Sequence, residues 1–340
     1  MKKYLAYLKT RETPEGVVSY GLGDWMAPGG RSVSNVEGAI YVLDAEILYE
    51  ATKLLNSTDA AFYKAEYDRV KSAYNRKHYD QDKKIYIPSS QANLAMPLAF
   101  GIVPEADRKA VMEQLLKVIA NPVAIVDSSR NAKPGEFGPA LPDHITTGDI
   151  GTTYLWRTLG DAGQADLVQK MIMQEERPSY WSMVKYGFTT LPENWNYPKT
   201  RSHNHDMYAG IFEWFFRSLG GISMAKPGFK EISLKPEFPS GLESVTTSAG
   251  SVRGLIRSSW TNRNGRVNWK ITVPVNSTAR IYIPYRADRA ISEGEKRIWA
   301  NGSAIGMVAG IKLKGLETDA DSGMQYIVWT VGSGNYDLQW

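Results

Sequence analysis

Apolar residues recur at every third or fourth position through much of residues 34–220, which is the spacing of one face of an α-helix. The two longest faces consist of Ile40, Leu43, Ile47, Leu48, Ala51, Leu54 and Leu55, and of Tyr63, Tyr67, Val70 and Tyr74. Further helical segments are predicted at residues 4–8, 91–100, 105–119, 151–159, 164–174 and 205–219. Proline and glycine separate these segments, so the pattern predicts paired helices joined by loops.

After residue 228 the hydrophobic period changes to two, the period of a half-buried strand. Residues 267–273, 279–283 and 326–330 alternate in this way, and Asn-Gly or Gly-Ser pairs between such segments are typical of tight turns. The pattern therefore predicts an antiparallel β-sandwich. We expect a mainly α-helical chain with a helical domain at residues 1–222 and a β domain at residues 223–340.

The composition of the chain mainly excludes certain kinds of partner and site. The 340 residues carry 40 Lys and Arg against 36 Asp and Glu, and a dispersed net charge of +4 does not favour nucleic acid as a partner. The sequence contains no cysteine, which excludes disulfides, thiolate zinc sites and a cysteine nucleophile. No stretch reaches the ~18 consecutive apolar residues of a membrane span, and Lys9 interrupts the first apolar run, so neither membrane insertion nor a secretory signal is predicted.

The candidate chemistry precedes the β domain, where all four histidines lie, and is densest at residues 178–206. Glu193 stands there between Pro192 and the pair Asn194-Trp195. A carboxyl group flanked by aromatic residues tends to have a raised pKa, which suits a general acid or base. The alternative is a loop carboxylate that accepts hydrogen bonds from nearby backbone N–H groups.

His203 and His205 are two positions apart, so they do not share a helix face, and no further ligand lies near them in the sequence. A zinc site is therefore not predicted. The alternative is that Ser202 or Asn204 caps the helix that runs to residue 219, and a histidine at such an end points into the cavity that the helix borders, where it can bind a sugar hydroxyl.

Asp24 and Trp25 lie in a loop rich in glycine and proline at residues 23–29. An indole can stack on the apolar face of a sugar while a carboxylate accepts hydrogen bonds from its hydroxyls, although an ordinary loop with a buried tryptophan has the same sequence. Asp149 precedes a predicted helix and is interpreted as its cap.

Several motifs occur together in a fixed order, at residues 23–29, 91–104, 147–152, 178–180, 187–195, 204–205, 220–222 and 227–230. In order and spacing they resemble the C-terminal portion of glycoside hydrolase family 78, the bacterial inverting α-L-rhamnosidases. The resemblance implies an (α/α)6 toroid, incomplete at its N-terminus, followed by a jelly-roll-like sandwich. It also implies hydrolysis of terminal α-L-rhamnosyl residues with no cofactor and no metal, in a bacterial cytoplasm or periplasm.

The same resemblance implies that Glu193 is the general base that activates water. The residues implied to surround the sugar are Asp24, Trp25, Tyr180, Trp181, Trp195 and His205. The chain departs from the family in having Pro192 directly before the base, and the pair Tyr180-Trp181 where the family usually has Trp-Gly. These departures leave open a related hydrolase or lyase that acts on another sugar.

The family's general acid belongs to an acidic, arginine-containing segment that has no match in this sequence. Inverting hydrolysis needs both an acid and a base. We therefore expect a truncated piece of a larger enzyme, whose partners are a rhamnose-containing oligosaccharide or glycoside and either the upstream part of the enzyme or a second copy of the chain. A non-catalytic sugar-binding remnant is the alternative.

Overall fold

Helices build the chain up to residue 219 in the computed structural model, which describes residues 1–123 and 137–340. The helices are α1 (Lys2–Lys9), α2 (Val33–Leu54), α3 (Ala60–His78), α4 (Gln91–Ala99), α5 (Arg108–Ala120), α6 (Gly151–Asp161), α7 (Ala165–Ile172), α8 (Tyr180–Lys185) and α9 (Ile211–Trp214). Short 3₁₀ turns at Glu105–Asp107 and Asp206–Gly210 and a π turn at Phe215–Leu219 extend them. The predicted helical first part is confirmed, although α8 was not predicted.

The buried face of α2 differs from the predicted one. Ile47, Leu54 and Leu55 are 46%, 83% and 77% exposed, so the stripe that they form is not the core. A Cβ atom on Gly38 would lie 2.9 Å from Cδ2 of Tyr74, so α2 packs against α3 through its small residues. The buried face carries Val36, Ala39, Val42 and Ala45, and it shares only Leu48 with the predicted stripe. The prediction was wrong because α2 has apolar residues on two sides, and close helix packing selects the side with small residues.

Helix α4 is buried along nearly its whole length and holds a later segment of the chain in place. The Ser90 side chain caps α4 by accepting a hydrogen bond from the backbone N–H of Asn93 at 3.2 Å. The buried amide of Gln91 donates to the carbonyl of His144 at 2.8 Å and accepts from the N–H of Thr146 at 2.9 Å. This pair of bonds fixes the chain directly before residues 147–151.

Strands form most of residues 222–340, as the change of period predicted. They are β3 (Ile222–Met224), β4 (Glu231–Leu234), β5 (Ser244–Ser251), β6 (Gly254–Arg263), β7 (Arg266–Val273), β8 (Thr278–Pro284), β9 (Ile291–Glu293), β10 (Lys296–Ala300), β11 (Ser303–Ala304), β12 (Ile311–Thr318), β13 (Gln325–Val331) and β14 (Gly334–Gln339). A short hairpin of β1 (Tyr79–Asp80) and β2 (Ile85–Tyr86) follows α3 in the helical part.

Two sheets share the C-terminal strands. One has the order β11-β10-β9-β14-β7-β6-β5, and the other the order β12-β13-β8-β4-β3. The second sheet is mixed and not purely antiparallel as predicted, because β4 pairs in parallel with β8. A single hydrophobic cluster includes residues of both sheets, among them Trp260, Trp269 and Ile281. Every second side chain of β7 and β8 points into this cluster, and this alternation is why the sequence pattern predicts both strands.

The described residues form two compact units. The first contains residues 1–158 and 170–210, and the second contains residues 159–169 and 211–340. Residues 159–169 and 211–222 thus group with the strands, whereas the predicted boundary lay at residue 222. No helix of the described part of the chain is both long enough and apolar enough to cross a membrane. The segment between the helices predicted at residues 105–119 and 151–159 lies partly outside the described residues.

Candidate active site

Asp24 connects two segments that are far apart in the sequence. Its carboxylate oxygens accept hydrogen bonds from the backbone N–H groups of Gly148, at 2.8 Å, and Gly151, at 2.7 Å. Burial raises the pKa of this carboxyl group to about 6, although these backbone bonds oppose the shift. Asp24, and not Asp149 as predicted, therefore caps the start of α6. Asp24 is 1% exposed and both of its carboxylate oxygens accept backbone hydrogen bonds, so it supports this junction, and its contact with the sugar stays a prediction.

Two glycines allow this close junction. A Cβ atom on Gly148 would lie 1.9 Å from the carbonyl oxygen of Trp25, and one on Gly151 would lie 2.7 Å from Oδ2 of Asp24. The same carbonyl of Trp25 accepts a hydrogen bond from the N–H of Asp149 at 2.8 Å. The segments around Trp25 and Asp149 are therefore held side by side at backbone distance.

Trp25 reaches from this junction to Glu193. Its indole N–H donates to Oε1 of Glu193 over 3.5 Å, across 168 positions of the sequence. On the other side, the guanidinium of Arg31 lies 4.2 Å from the centre of the indole ring, which is cation–π distance. Both Trp25 and Glu193 are partly exposed, so the structure brings together an accessible carboxylate and an accessible aromatic surface.

Glu193 and His205 lie on two loop segments that pair with one another. The N–H of Glu193 donates to the carbonyl of Ser202 at 3.0 Å, and the N–H of His205 donates to the carbonyl of Leu191 at 2.8 Å. The imidazole of His205 is 30% exposed. The predicted capped helix start at this point is instead a loop followed by a 3₁₀ turn, and the loop pairing fixes the backbone at Glu193 and His205.

Asp149 lies behind His205 in the interior of the first unit. Its Oδ2 is 3.7 Å from Nδ1 of His205, and its exposure is 3%. Burial is the main cause that raises the pKa of Asp149 to about 8, and the nearby carboxylates of Asp24 and Glu193 raise it further. Oδ1 of Asp149 has no hydrogen-bond partner among the described residues. With its pKa raised to about 8, Asp149 is mainly in its neutral, protonated form at pH 7.

The predicted aromatic residues have different positions. Trp195 is fully buried, stacks on Tyr208 with 4.2 Å between ring centres, and donates from its indole N–H to the carbonyl of Thr147 at 2.8 Å. Tyr180 packs edge-on against Trp195 and donates to the carbonyl of Tyr208 at 2.7 Å. Trp181 is 38% exposed and makes no ring contact with this cluster among the described residues. The interior aromatic residues thus support the site, and their contact with a sugar stays a prediction.

The structure places Asp149 beside His205 and Tyr208 against Trp195, and sequence reasoning predicted neither position. The Gly-Asp pair at residues 148–149 is the same signal as the pair at residues 23–24, and the sequence alone does not distinguish a cap from a pocket carboxyl group. Within residues 1–123 and 137–340, no three His, Asp or Glu side chains are grouped so that they could hold a metal ion.

Comparison with protein families gives two matches. The bacterial alpha-L-rhamnosidase 6 hairpin glycosidase domain matches residues 1–127 and 140–219. The bacterial alpha-L-rhamnosidase C-terminal domain matches residues 221–297. Together these matches cover most of the chain, and the first contains every predicted site residue.

The individual relatives that match the chain are also named α-L-rhamnosidases. An α-L-rhamnosidase of Formosa agariphila is 26% identical over 334 residues, covering 92% of this chain and 34% of the relative. A second from the same organism is 29% identical over 291 residues, covering 79% of this chain and 28% of the relative. The chain therefore spans about a third of the length of the curated relatives that it matches.

Solved structures show the same architecture. The α-L-rhamnosidase from Dictyoglumus thermophilum superposes with a TM-score of 0.82 at 26% identity, covering 99% of this chain and 36% of that one. The Streptomyces avermitilis α-L-rhamnosidase complexed with L-rhamnose gives a TM-score of 0.77 at 22% identity, covering 100% of this chain and 30% of that one. The second comparison supports the fold alone.

Proposed function

Because the chain belongs to the bacterial α-L-rhamnosidase family, we propose that it supplies the general base and part of the sugar pocket of an enzyme that hydrolyses terminal α-L-rhamnosyl residues with inversion. The first unit would form part of an (α/α)6 toroid, and the two sheets would form a jelly-roll-like sandwich. The substrate would be a rhamnose-containing oligosaccharide or glycoside.

The observation that carries this proposal is the position of the Glu193 carboxylate. It is partly exposed, receives the indole N–H of Trp25, and stands on a loop fixed by backbone pairing to residue 202. In an inverting hydrolase, a carboxylate on the face opposite the leaving group takes a proton from water as the water attacks the anomeric carbon. Glu193 has the access and the rigid mounting that this role requires.

Asp149 supports Glu193 by carrying no charge. Because its pKa is raised to about 8, Asp149 is mostly protonated at pH 7. A neutral Asp149 does not repel the negative charge of the Glu193 carboxylate. Oδ2 of Asp149 lies 3.7 Å from Nδ1 of His205, which is longer than a hydrogen bond, so Asp149 packs against the imidazole while Nδ1 has no partner among the described residues. We propose that His205 then presents its other ring nitrogen to a sugar hydroxyl.

Trp25 is the proposed platform for the sugar. It is partly exposed, and Arg31 stacked on the indole fixes the plane of the ring. A deoxy sugar such as rhamnose has an apolar face that packs favourably on such a surface. Trp195 is buried and Tyr180 packs edge-on against it, whereas Trp25 offers an accessible ring in contact with Glu193.

Two experiments test the proposal. The isolated chain should bind L-rhamnose in a titration followed by tryptophan fluorescence. Trp25→Ala should weaken this binding at least about tenfold, whereas Phe62→Ala, which removes a 58% exposed ring from α3, should change it less than about twofold. A hybrid that joins the upstream part of the D. thermophilum enzyme to this chain should release β-L-rhamnose from an α-rhamnoside, as seen by NMR. Release of the α anomer first would contradict inversion, and rhamnose binding without any turnover by the folded hybrid would favour the sugar-binding remnant.

A further inference from the structure

A cavity of about 660 Å³ lies on one face of the seven-stranded sheet. Its lining comes from five strands of the second unit and includes Arg257, Ser259, Lys270, Thr272, Glu293 and Asp337. The volume is within the range of about 300–1,000 Å³ that is usual for small-molecule sites. None of the candidate active-site residues lines it, so it needs a separate explanation.

Strand register arranges the lining in two cross-strand rows. Arg257 on β6 is opposite Thr272 on β7, and Ser259 on β6 is opposite Lys270 on β7. Lys270 is in turn opposite Asp337 on β14. Arg257 and Lys270 are therefore diagonal neighbours on one face, a separation of about 7–8 Å that long side chains can bridge. Neighbouring residues of the same strands, such as Trp260 and Trp269, point into the core, so this face is the outer one.

The two cations of the cavity are available for a ligand. Among the described residues, neither the Arg257 guanidinium nor the Lys270 ammonium takes part in an ion pair or a side-chain hydrogen bond, and both side chains are exposed. The polar groups around them are already ordered. Thr272 donates to the amide oxygen of Asn335 at 2.8 Å, and Oδ1 of Asp337 accepts from Asn268 at 2.6 Å.

The charges of the lining indicate the kind of ligand. Two cations without partners favour an anion, and a guanidinium binds a carboxylate with two parallel hydrogen bonds. Glu293 and Asp337 line the same cavity, so a multiply charged anion such as phosphate would meet repulsion. These carboxylates and the hydroxyls of Ser259 and Thr272 suit a partner with many hydroxyl groups. Tyr336 is 9% exposed, so its ring offers little stacking surface and charge dominates recognition.

We propose that this cavity binds a uronic acid residue of an oligosaccharide. Arg257 and Lys270 hold the sugar carboxylate, while Glu293 and Asp337 accept hydrogen bonds from the sugar hydroxyls. The site is independent of the function proposed for the first unit, and it would retain the chain on an acidic polysaccharide.

The test is calorimetric titration of the full chain with an oligosaccharide of galacturonic acid. We expect Arg257→Gln and Lys270→Met each to weaken binding at least about tenfold, because each removes one charge-assisted contact. Lys312→Met is the matched control, since it removes an exposed positive charge from β12 of the other sheet, and it should change the affinity less than about twofold. The fully methyl-esterified oligosaccharide should bind at least about tenfold more weakly than the acid.

Three results would overturn the proposal. These are equal affinity for the acid and its methyl ester, undiminished binding by both cavity variants, and no binding of the acid by the wild-type chain. Inorganic phosphate serves as a further probe, and displacement of the saccharide by phosphate would indicate an unspecific anion site instead. Glu193→Gln should leave the binding of the uronic acid unchanged, so failure of this site and failure of the proposed hydrolytic function are distinguished.

Discussion

The surroundings of Glu193 and the cavity of the seven-stranded sheet are both polar, but they are built in opposite ways. The first is assembled from loops up to 168 positions apart, and its carboxyl groups are buried among backbone N–H groups and aromatic rings. The second follows from the register of adjacent strands, and its cations lie in solvent. Substitutions in the first region should therefore change stability together with chemistry, whereas those in the second should change affinity alone.

The strongest test of this contrast is removal of the buried indole that supports the loops. Trp195→Ala should lower the free energy of unfolding by about 3–5 kcal/mol, because it leaves a cavity beside Tyr208 and frees the carbonyl of Thr147. The measurement is urea denaturation. Trp181→Ala, at a 38% exposed position, is the control and should cost less than about 1 kcal/mol. Equal losses in the two variants would mean that Trp195 does not support the site.

The next largest effect is expected at Asp24. Asp24→Ala should lower the free energy of unfolding by about 2–3 kcal/mol, because the N–H groups of Gly148 and Gly151 lose their acceptor in the interior. Asp82→Ala removes an exposed carboxylate and should have little effect in the same denaturation experiment. A stable Asp24→Ala variant with impaired rhamnose binding would instead favour the sugar contact originally predicted for Asp24.

Asp149 should make the free energy of unfolding depend on pH. Its pKa is raised from 3.8 to about 8 in the folded chain, so the folded state binds this proton more tightly than the unfolded state. The resulting stabilisation is complete below pH ~4 and is lost as the pH rises through ~8. Asp149→Asn does not titrate, so its stability relative to the wild type should rise by at most about 1.4 kcal/mol per pH unit in this window. Thermal unfolding at several pH values measures the difference, and a constant difference would contradict the buried neutral carboxyl group.

The same contrast explains what could be predicted from the sequence. Along β7 and β8 every second residue enters one core, so the period of two was sufficient to identify the strands. The sequence of β4 does not indicate its parallel pairing with β8, because that pairing depends on which distant strand lies next to β4 in the folded sheet. On α2, apolar residues occupy two sides, and the choice of Val36 over Leu54 as core depends on the small residues that face α3.

The site was predictable only in part for a related reason. Glu193, Trp25 and His205 were identified from residue type and family resemblance, and the structure places Trp25 and His205 on segments bonded to the surroundings of Glu193. Asp24 caps α6, the role that was predicted for Asp149, and the predicted contact of Asp24 with the sugar stays a prediction. Hydrogen bonds between positions more than 120 residues apart decide which carboxyl group caps α6, and spacing along the chain does not contain that information.

Whether Glu193 is the general base is measured most directly by the turnover of a rhamnoside by the hybrid enzyme carrying Glu193→Gln. Glutamine keeps the shape of the side chain but cannot take a proton from water, so kcat should fall by about 10²–10⁴-fold while rhamnose affinity changes less than about threefold. Asp206→Asn, at an exposed position that begins the 3₁₀ turn after His205, should leave both values near those of the parent hybrid. A Glu193→Gln hybrid that turns over within about twofold of its parent would show that Glu193 is a structural carboxylate and not the base.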